Sequence, residues 1–143
     1  MDARASWFAR NSLYFAWIVS LAATGGSLYF SEIANYIPCN LCWFQRIFMY
    51  PQVILLGIAA YRGDRGIIRY SLPLSIIGGI ISVYHNLEIW FPKLAEVAPC
   101  RAGVPCTFNY VNWFGFITIP LMALTAFVLI TLCLSFGRAG RQQ

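Results

Sequence analysis

The sequence predicts an all-α, polytopic membrane protein, a bundle of four transmembrane helices forming a single membrane domain over residues 1–143. Three observations predict it. The chain is 59% hydrophobic and only 10% charged, whereas a soluble domain carries about 25% charged residues. It contains four apolar segments, each long enough to cross ~30 Å of hydrocarbon at 1.5 Å per residue. Its arginines collect at alternate ends of those segments, as they do in loops that set membrane orientation. The same composition excludes an ordinary cytosolic enzyme, and it excludes disorder, which needs low hydrophobicity and high charge. A net charge of +5 would suggest nucleic acid in a soluble chain. Here orienting arginines account for it, and no nucleic-acid partner is expected.

The first span runs from about Ser12 to Phe30 and contains no charge. Arg4 and Arg10 precede it, but its apolar stretch is longer than a cleaved signal core and the small residues Ala22–Ser27 lie inside it. The second span, about Trp43 to Tyr61, contains one charge, Arg46. The third, about Ile67 to Trp90, carries His85 and Glu88 near its far end, and the fourth, about Phe114 to Phe136, carries none. Helices are expected throughout, because backbone groups in lipid must be satisfied within the segment. Gly25, Gly26, Gly78 and Gly79 are expected to let helices approach closely.

Orientation follows from charge. Arg4, Arg10, Arg62, Arg65, Arg69, Arg138 and Arg141 fall on one side, which the positive-inside rule makes the cytoplasm. Both termini are then cytoplasmic, and the loops at about 31–38 and 91–113 face outward. Tyr29, Phe30, Tyr36, Trp43, Trp90, Phe91 and Trp113 would form an interfacial belt at the outer boundary.

This topology, drawn without reference to the five cysteines, puts Cys39, Cys42, Cys100 and Cys106 on the outer side, where disulfides persist. Cys133, near the cytoplasmic end of span four, reads as a small buried hydrophobe. Cys39 and Cys42 form a C-x-x-C just after Pro38, and proline favours the first turn of a helix. Span two is therefore expected to begin near Pro38, with its free N–H groups and positive dipole end aimed at the cysteines. Arg46 lies four residues after Cys42 and shares its face. A helix N-terminus and a nearby cation both lower a thiol pKa, which points to Cys42 as the activated thiolate. An arginine inside a span is costly; the bland alternatives are snorkelling or pairing with Glu88.

His85, the only histidine, should reach the same depth as Arg46. It reads either as a histidine satisfied inside the bundle or as a donor to a carbonyl oxygen of a membrane-dissolved oxidant. Glu88, three residues on, either orients His85 or neutralises Arg46. Cys100 and Cys106 flank a Pro- and Gly-containing turn. Such a disulfide is either a loop staple or a short bridge open to an external thiolate.

These residues resemble the disulfide-bond formation protein B (DsbB) family of membrane thiol oxidases, most of all its short BdbC-type branch. The likeness covers nearly the whole chain. It rests on the C-x-x-C opening span two, Arg46 after it, Tyr84-His85 late in span three, the second cysteine pair, and Trp113-Phe114-Gly115-Phe116 opening span four. Typical members space the second pair more widely, so Cys100 and Cys106 match it by order. The resemblance implies a multi-pass protein of the bacterial cell (inner or plasma) membrane with its active cysteines on the outer face. It would pass electrons from a secreted or periplasmic thioredoxin-like thiol oxidase (DsbA- or BdbD-like) to ubiquinone or menaquinone. It further implies that the partner's thiolate attacks Cys100, that Cys106 then attacks Cys39, and that Cys42 becomes a thiolate facing the quinone. Arg46 and His85 would bind the quinone.

Three other readings fit less well. A four-cysteine metal protein lacks a second C-x-x-C and would need free thiolates in an oxidising compartment, so no metal is expected. A small adaptor stapled by two disulfides leaves Arg46 unexplained. A reductase resembling vitamin K epoxide reductase would carry its C-x-x-C late in the bundle.

Overall fold

The computed structural model describes residues 3–96, 105–107 and 111–139. It contains four long helices, α1 (Ala3–Leu28), α2 (Asn40–Arg62), α3 (Ile68–Trp90) and α4 (Ile119–Ala139). All four are long and apolar enough to cross a membrane, and no strand occurs among the described residues. Each helix packs on two neighbours, α1 on α2 and α4, and α3 on α2 and α4, so the four close into a ring.

The inward stripes follow helical spacing. In α1 the buried residues are Ala9, Ser12, Leu13, Ala16 and Ser20, which fall on one face through their i, i+3, i+4 and i+7 spacing. Leu13 and Ala16 meet Leu56, Ala59 and Ala60 of α2 and Phe127, Ile130 and Leu134 of α4 in one apolar core. The α3 stripe is small and polar instead: Ser71, Ser75, Gly78, Ser82, His85 and Glu88 are all buried. Small residues let helices in lipid approach closely, and their hydroxyls bond across or along helices. Thus Ser75 Oγ donates to Gln52 Oε1 of α2 at 2.9 Å, and Ser82 Oγ donates to Gly78 O at 2.9 Å.

The expected role of the glycines divides. Gly78 lies directly under the Phe127 ring, so a Cβ there would overlap that ring. A Gly25 or Gly26 Cβ would meet nothing within 4 Å; Gly26 lines a cavity instead of a helix contact. Gly78→Ala should therefore cost about 1–3 kcal/mol of stability through overpacking, and Gly26→Ala should be tolerated. Thermal unfolding of the two variants in detergent reads this, and equal midpoints would show that Phe127 moves aside freely.

Helix ends differ from the expected spans where loop chemistry intervenes. α2 stops at Gly63, whose φ of 66° is left-handed and whose N–H caps Ala59 O. Asp64 then accepts from Gly66 N–H at 2.8 Å and starts the short turn into α3. α4 begins at Ile119, not near Phe114. Phe114 and Gly115 take positive φ values of 55° and 82°, and Trp113 and Ile117 pair across the resulting turn. The belt residues Tyr29, Trp43, Trp90, Phe91 and Trp113 are all more than half exposed.

Candidate functional site

The C-x-x-C sits at the start of α2, and the helix begins two residues after Pro38. Cys39 is the N-cap, with extended backbone (ψ 173°), and the helix begins at Asn40. Pro38 therefore precedes the cap. A cap side chain accepts from an early helical N–H, and here Cys39 Sγ accepts from Cys42 N–H at 3.4 Å. The free amide of the helix thus points at Cys39, whereas the sequence pointed to Cys42 as the activated thiol.

Other groups converge on the same sulfur. Cys39 and Cys42 are free thiols that share an S–H···S hydrogen bond at 3.0 Å. His85 Nε2 stands 3.7 Å from Cys39 Sγ. The hydrogen bond with Cys42 is the largest influence on Cys39; with His85 and the helix amide it outweighs burial and lowers the thiol from 9.0 to about 4. A thiolate is the reactive form of cysteine.

His85 is 1% exposed, and both of its ring nitrogens are engaged by protein. The Gln45 side-chain amide donates to Nδ1 at 3.2 Å, which leaves the proton on Nε2, and Nε2–H donates to Cys106 O at 3.1 Å. The ring therefore clamps the Cys106 turn against the N-terminus of α2. Cys106 is 3% exposed and packs with Cys39 and Leu41. It is disulfide-bonded. Cys39 Sγ, Cys106 Sγ and a His85 ring nitrogen all lie within 4.8 Å of one another. Cys100 lies outside the described residues. Cys133 is a free thiol on α4 that packs on the apolar core.

Arg46 does not pair with Glu88. Its Nη2 donates to Ser27 O of α1 at 3.2 Å, and its guanidinium lies 5.3 Å from the Trp43 ring centroid, a cation–π distance. Tyr50 Oη donates to Ser27 Oγ at 3.3 Å, a second tie between α1 and α2 at that level. Glu88 is fully buried and bonds to neither Arg46 nor His85.

Beside these groups opens a cavity of about 440 Å³. Ile18, Ala22 and Gly26 of α1 and Ile119, Ala123 and Ala126 of α4 supply apolar walls. Cys39, Cys42, Arg46 and His85 line its polar end. Pockets for small organic ligands have this size and this balance of apolar wall and few polar groups.

Gln45 is the site residue that sequence reasoning missed. It is 6% exposed and falls three residues after Cys42, one turn along the same face. A buried amide in a span is itself a signal, but its bond to His85 joins residues 40 positions apart and no local pattern reveals that.

A C-x-x-C at the start of α2 in a four-helix membrane bundle, packed against a second, disulfide-bonded cysteine, defines a membrane protein built for thiol–disulfide chemistry. The profile of the family described as "Disulfide bond formation protein DsbB" matches residues 9–137, and the chain belongs to that family. It is 55% identical to "Disulfide bond formation protein C" of Bacillus subtilis (strain 168) over 127 residues, covering 87% of this chain and 92% of that one. It is 50% identical over 123 residues to "Probable disulfide formation protein C" of Halalkalibacterium halodurans, covering 86% and 90%. It is 47% identical over 126 residues to "Probable disulfide formation protein" of Coxiella burnetii, covering 87% and 83%. No solved structure matches it significantly. A redox role in disulfide formation and a multi-pass membrane location follow from the family and the four apolar helices.

Proposed function

We propose that this chain is a thiol:quinone oxidoreductase of the bacterial cell membrane. It reoxidises a secreted thioredoxin-like dithiol oxidase and delivers the electrons to membrane quinone. The observation that carries this reading is the approach of the free thiol of Cys39 to the disulfide-bonded sulfur of Cys106 within 4.8 Å, with a His85 ring nitrogen within the same distance of both. Thiol–disulfide exchange requires this arrangement, an activated thiolate within reach of a disulfide sulfur.

Cys100 is the disulfide partner of Cys106 in this scheme. The external dithiol's thiolate attacks Cys100, and Cys106 leaves as a thiolate. Cys106 attacks Cys39 of an oxidised Cys39–Cys42 pair, a Cys39–Cys106 bond forms, and Cys42 is released. The external protein's second thiol displaces Cys100, leaving that protein oxidised. Cys100 then attacks Cys106, which restores their disulfide and frees Cys39. Two electrons now reside on Cys39 and Cys42. A membrane quinone, when bound, supplies the acceptor for these two electrons and two protons. The apolar walls of α1 and α4 suit a lipid-borne ring and tail, and Arg46 at the polar end would favour developing negative charge on oxygen. Reformation of the Cys39–Cys42 bond completes the cycle.

His85 acts here by holding the Cys106 turn over Cys39, with Gln45 fixing its tautomer. Both termini face the cytoplasm and the cysteines face outward in this reading, supported by the seven arginines assigned to one side and by the exposed aromatic belt.

The test is reduction of ubiquinone or menaquinone by a reduced thioredoxin-like dithiol protein, with the purified chain as catalyst. Failure with both quinones would overturn the reading. A narrower outcome concerns the bridge. In Cys42→Ser, Cys39 lacks its resolving neighbour, so a Cys39–Cys106 disulfide should accumulate, detectable as a cross-linked peptide under non-reducing conditions. A variant that never forms this peptide would separate the two cysteine pairs functionally.

A further inference from the structure

The reduced site has a second chemistry that the electron-transfer cycle does not use. The groups in question are Cys39, Cys42, Cys106 and His85. Zinc in a structural site is tetrahedral, commonly with Cys₃His ligation, and two of its cysteines are often spaced as C-x₂-C. Cys39-Asn40-Leu41-Cys42 has that spacing. Zn–S bonds near 2.3 Å and Zn–N bonds near 2.1 Å give tetrahedral edges of about 3.6 Å for S···N and about 3.8 Å for S···S. Cys39 Sγ to His85 Nε2 is 3.7 Å, already an edge of that size. Cys106 Sγ lies within 4.8 Å of both Cys39 Sγ and a His85 ring nitrogen, and the three residues are buried. Cys42 Sγ, 3.0 Å from Cys39 Sγ, lies outside that group of three, so its side chain has to swing away from Cys39 and toward the other two ligands to complete the tetrahedron.

One feature blocks the site as it stands: Cys106 is disulfide-bonded. We infer that reduction of the Cys106 disulfide opens a buried Cys39–Cys42–Cys106–His85 site for a thiophilic d¹⁰ cation such as Zn²⁺, and that this site is closed in the oxidised protein. The reduction is an ordinary exchange. A dithiol reductant gives up two electrons and two protons and becomes a disulfide, and Cys106 and its partner become thiols. Binding then displaces the remaining thiol protons, those of Cys42 and Cys106, to solvent. The His85 proton moves from Nε2 to Nδ1, so the ring gives up its bond to Cys106 O and Nε2 becomes the ligand. A ligating histidine needs an acceptor for its other N–H, and Gln45 provides one when its amide turns to present Oε1 to Nδ1. The Arg46 side chain, one turn from Cys42, would offset the negative charge of three thiolates on a divalent ion.

A bound cation would hold the thiols apart and stop exchange. The site is therefore a point at which metal arrests the fully reduced protein, and it stands on the geometry alone, independent of whether quinone is the electron acceptor. Arrest would be released by a chelator.

The experiment uses the full chain in detergent, reduced with a phosphine or kept oxidised, and titrated with Co²⁺ as a spectroscopic probe and then with Zn²⁺. The reduced protein should take up one Co²⁺ per chain, with the intense visible and near-ultraviolet bands of tetrahedral thiolate ligation, and Zn²⁺ should displace it. The oxidised protein should show no such bands. Cys106→Ser and His85→Ala should each weaken uptake by roughly tenfold or more, Gln45→Ala by a comparable factor through the outer shell, and Cys133→Ser should bind as the parent does. Circular dichroism of each apo variant confirms that its helices are intact. Equal binding by oxidised and reduced protein would overturn the proposal. So would unchanged affinity in both Cys106→Ser and His85→Ala, which would leave a bare two-cysteine chelate.

Discussion

Cys39→Ser should abolish oxidation of a reduced dithiol partner, a loss on the order of a thousandfold or more, because the sulfur that Cys106 attacks is gone. Cys133→Ser should leave turnover near that of the parent. The structural contrast is sharp. Cys39 shares a hydrogen bond with Cys42, caps the helix that carries it, and lies within reach of Cys106 and His85. Cys133 packs against the apolar core. The same contrast has a pH signature. The Cys39 thiol is lowered from 9.0 to about 4, so its thiolate stabilises the reduced form. That stabilisation is complete above pH 9, diminishes as pH falls, and is lost as pH passes through about 4. A stabilised reduced form makes the disulfide a stronger oxidant at neutral pH. The ultraviolet absorbance of the thiolate, followed through an acid titration of reduced protein, should show one thiolate surviving well below pH 7 in the parent and none in Cys39→Ser. Loss of all thiolate near pH 9 in the parent would remove the electrostatic stabilisation of the reduced pair at Cys39.

The bundle was legible because its cause is compositional. Four charge-free or nearly charge-free stretches in a chain with 10% charged residues leave no alternative to spanning helices. Local details were less legible where two local structures suit the same residue. Pro38 fits the first turn of a helix, but its fixed φ fits an extended approach equally well, and the Cys39 side chain took the capping role instead. Phe114 was read into a helix by hydrophobicity alone, which cannot register that Phe114 and Gly115 turn left-handed. The C-x-x-C and Arg46 announced themselves by spacing and cost. Gln45, Gln52 and Ser75 did not, because an uncharged side chain in a span does not by itself call for a partner as an arginine does. Their partners lie on other helices: Gln45 meets His85 and Gln52 meets Ser75. His85 was visible as the sole histidine, but its direction was not, since the Cys106 turn that it holds is 21 residues away. Glu88 was expected to serve either His85 or Arg46, and it bonds to neither; Arg46 found a backbone carbonyl on α1 instead.

Arg46 carries the second large expected effect, because its position separates the chemistry of exchange from that of the acceptor. It lines the cavity beside Cys42, while one arm of its fork is bound to Ser27 O and its plane lies over Trp43. Lysine would keep the charge but lose the planar fork and the stacking. A charged hydrogen bond contributes about 1.5–3 kcal/mol, and tenfold corresponds to about 1.4 kcal/mol. Arg46→Lys should therefore raise the apparent KM for quinone by about tenfold, and Arg46→Met, which also removes the cation, by about a hundredfold. Single-turnover exchange with the dithiol partner should change little in either variant, because the Cys39–Cys106–His85 contacts do not include Arg46. Arg46 also ties α1 to α2, so loss of that tie is a competing cause of any defect. Thermal unfolding separates the two. A purely structural role would lower the midpoint in both variants and depress exchange and quinone use together. An acceptor role would move quinone dependence alone, in the order arginine, lysine, methionine. Equal quinone dependence in all three proteins would place the acceptor away from Arg46 and leave the cavity between α1 and α4 without its polar anchor.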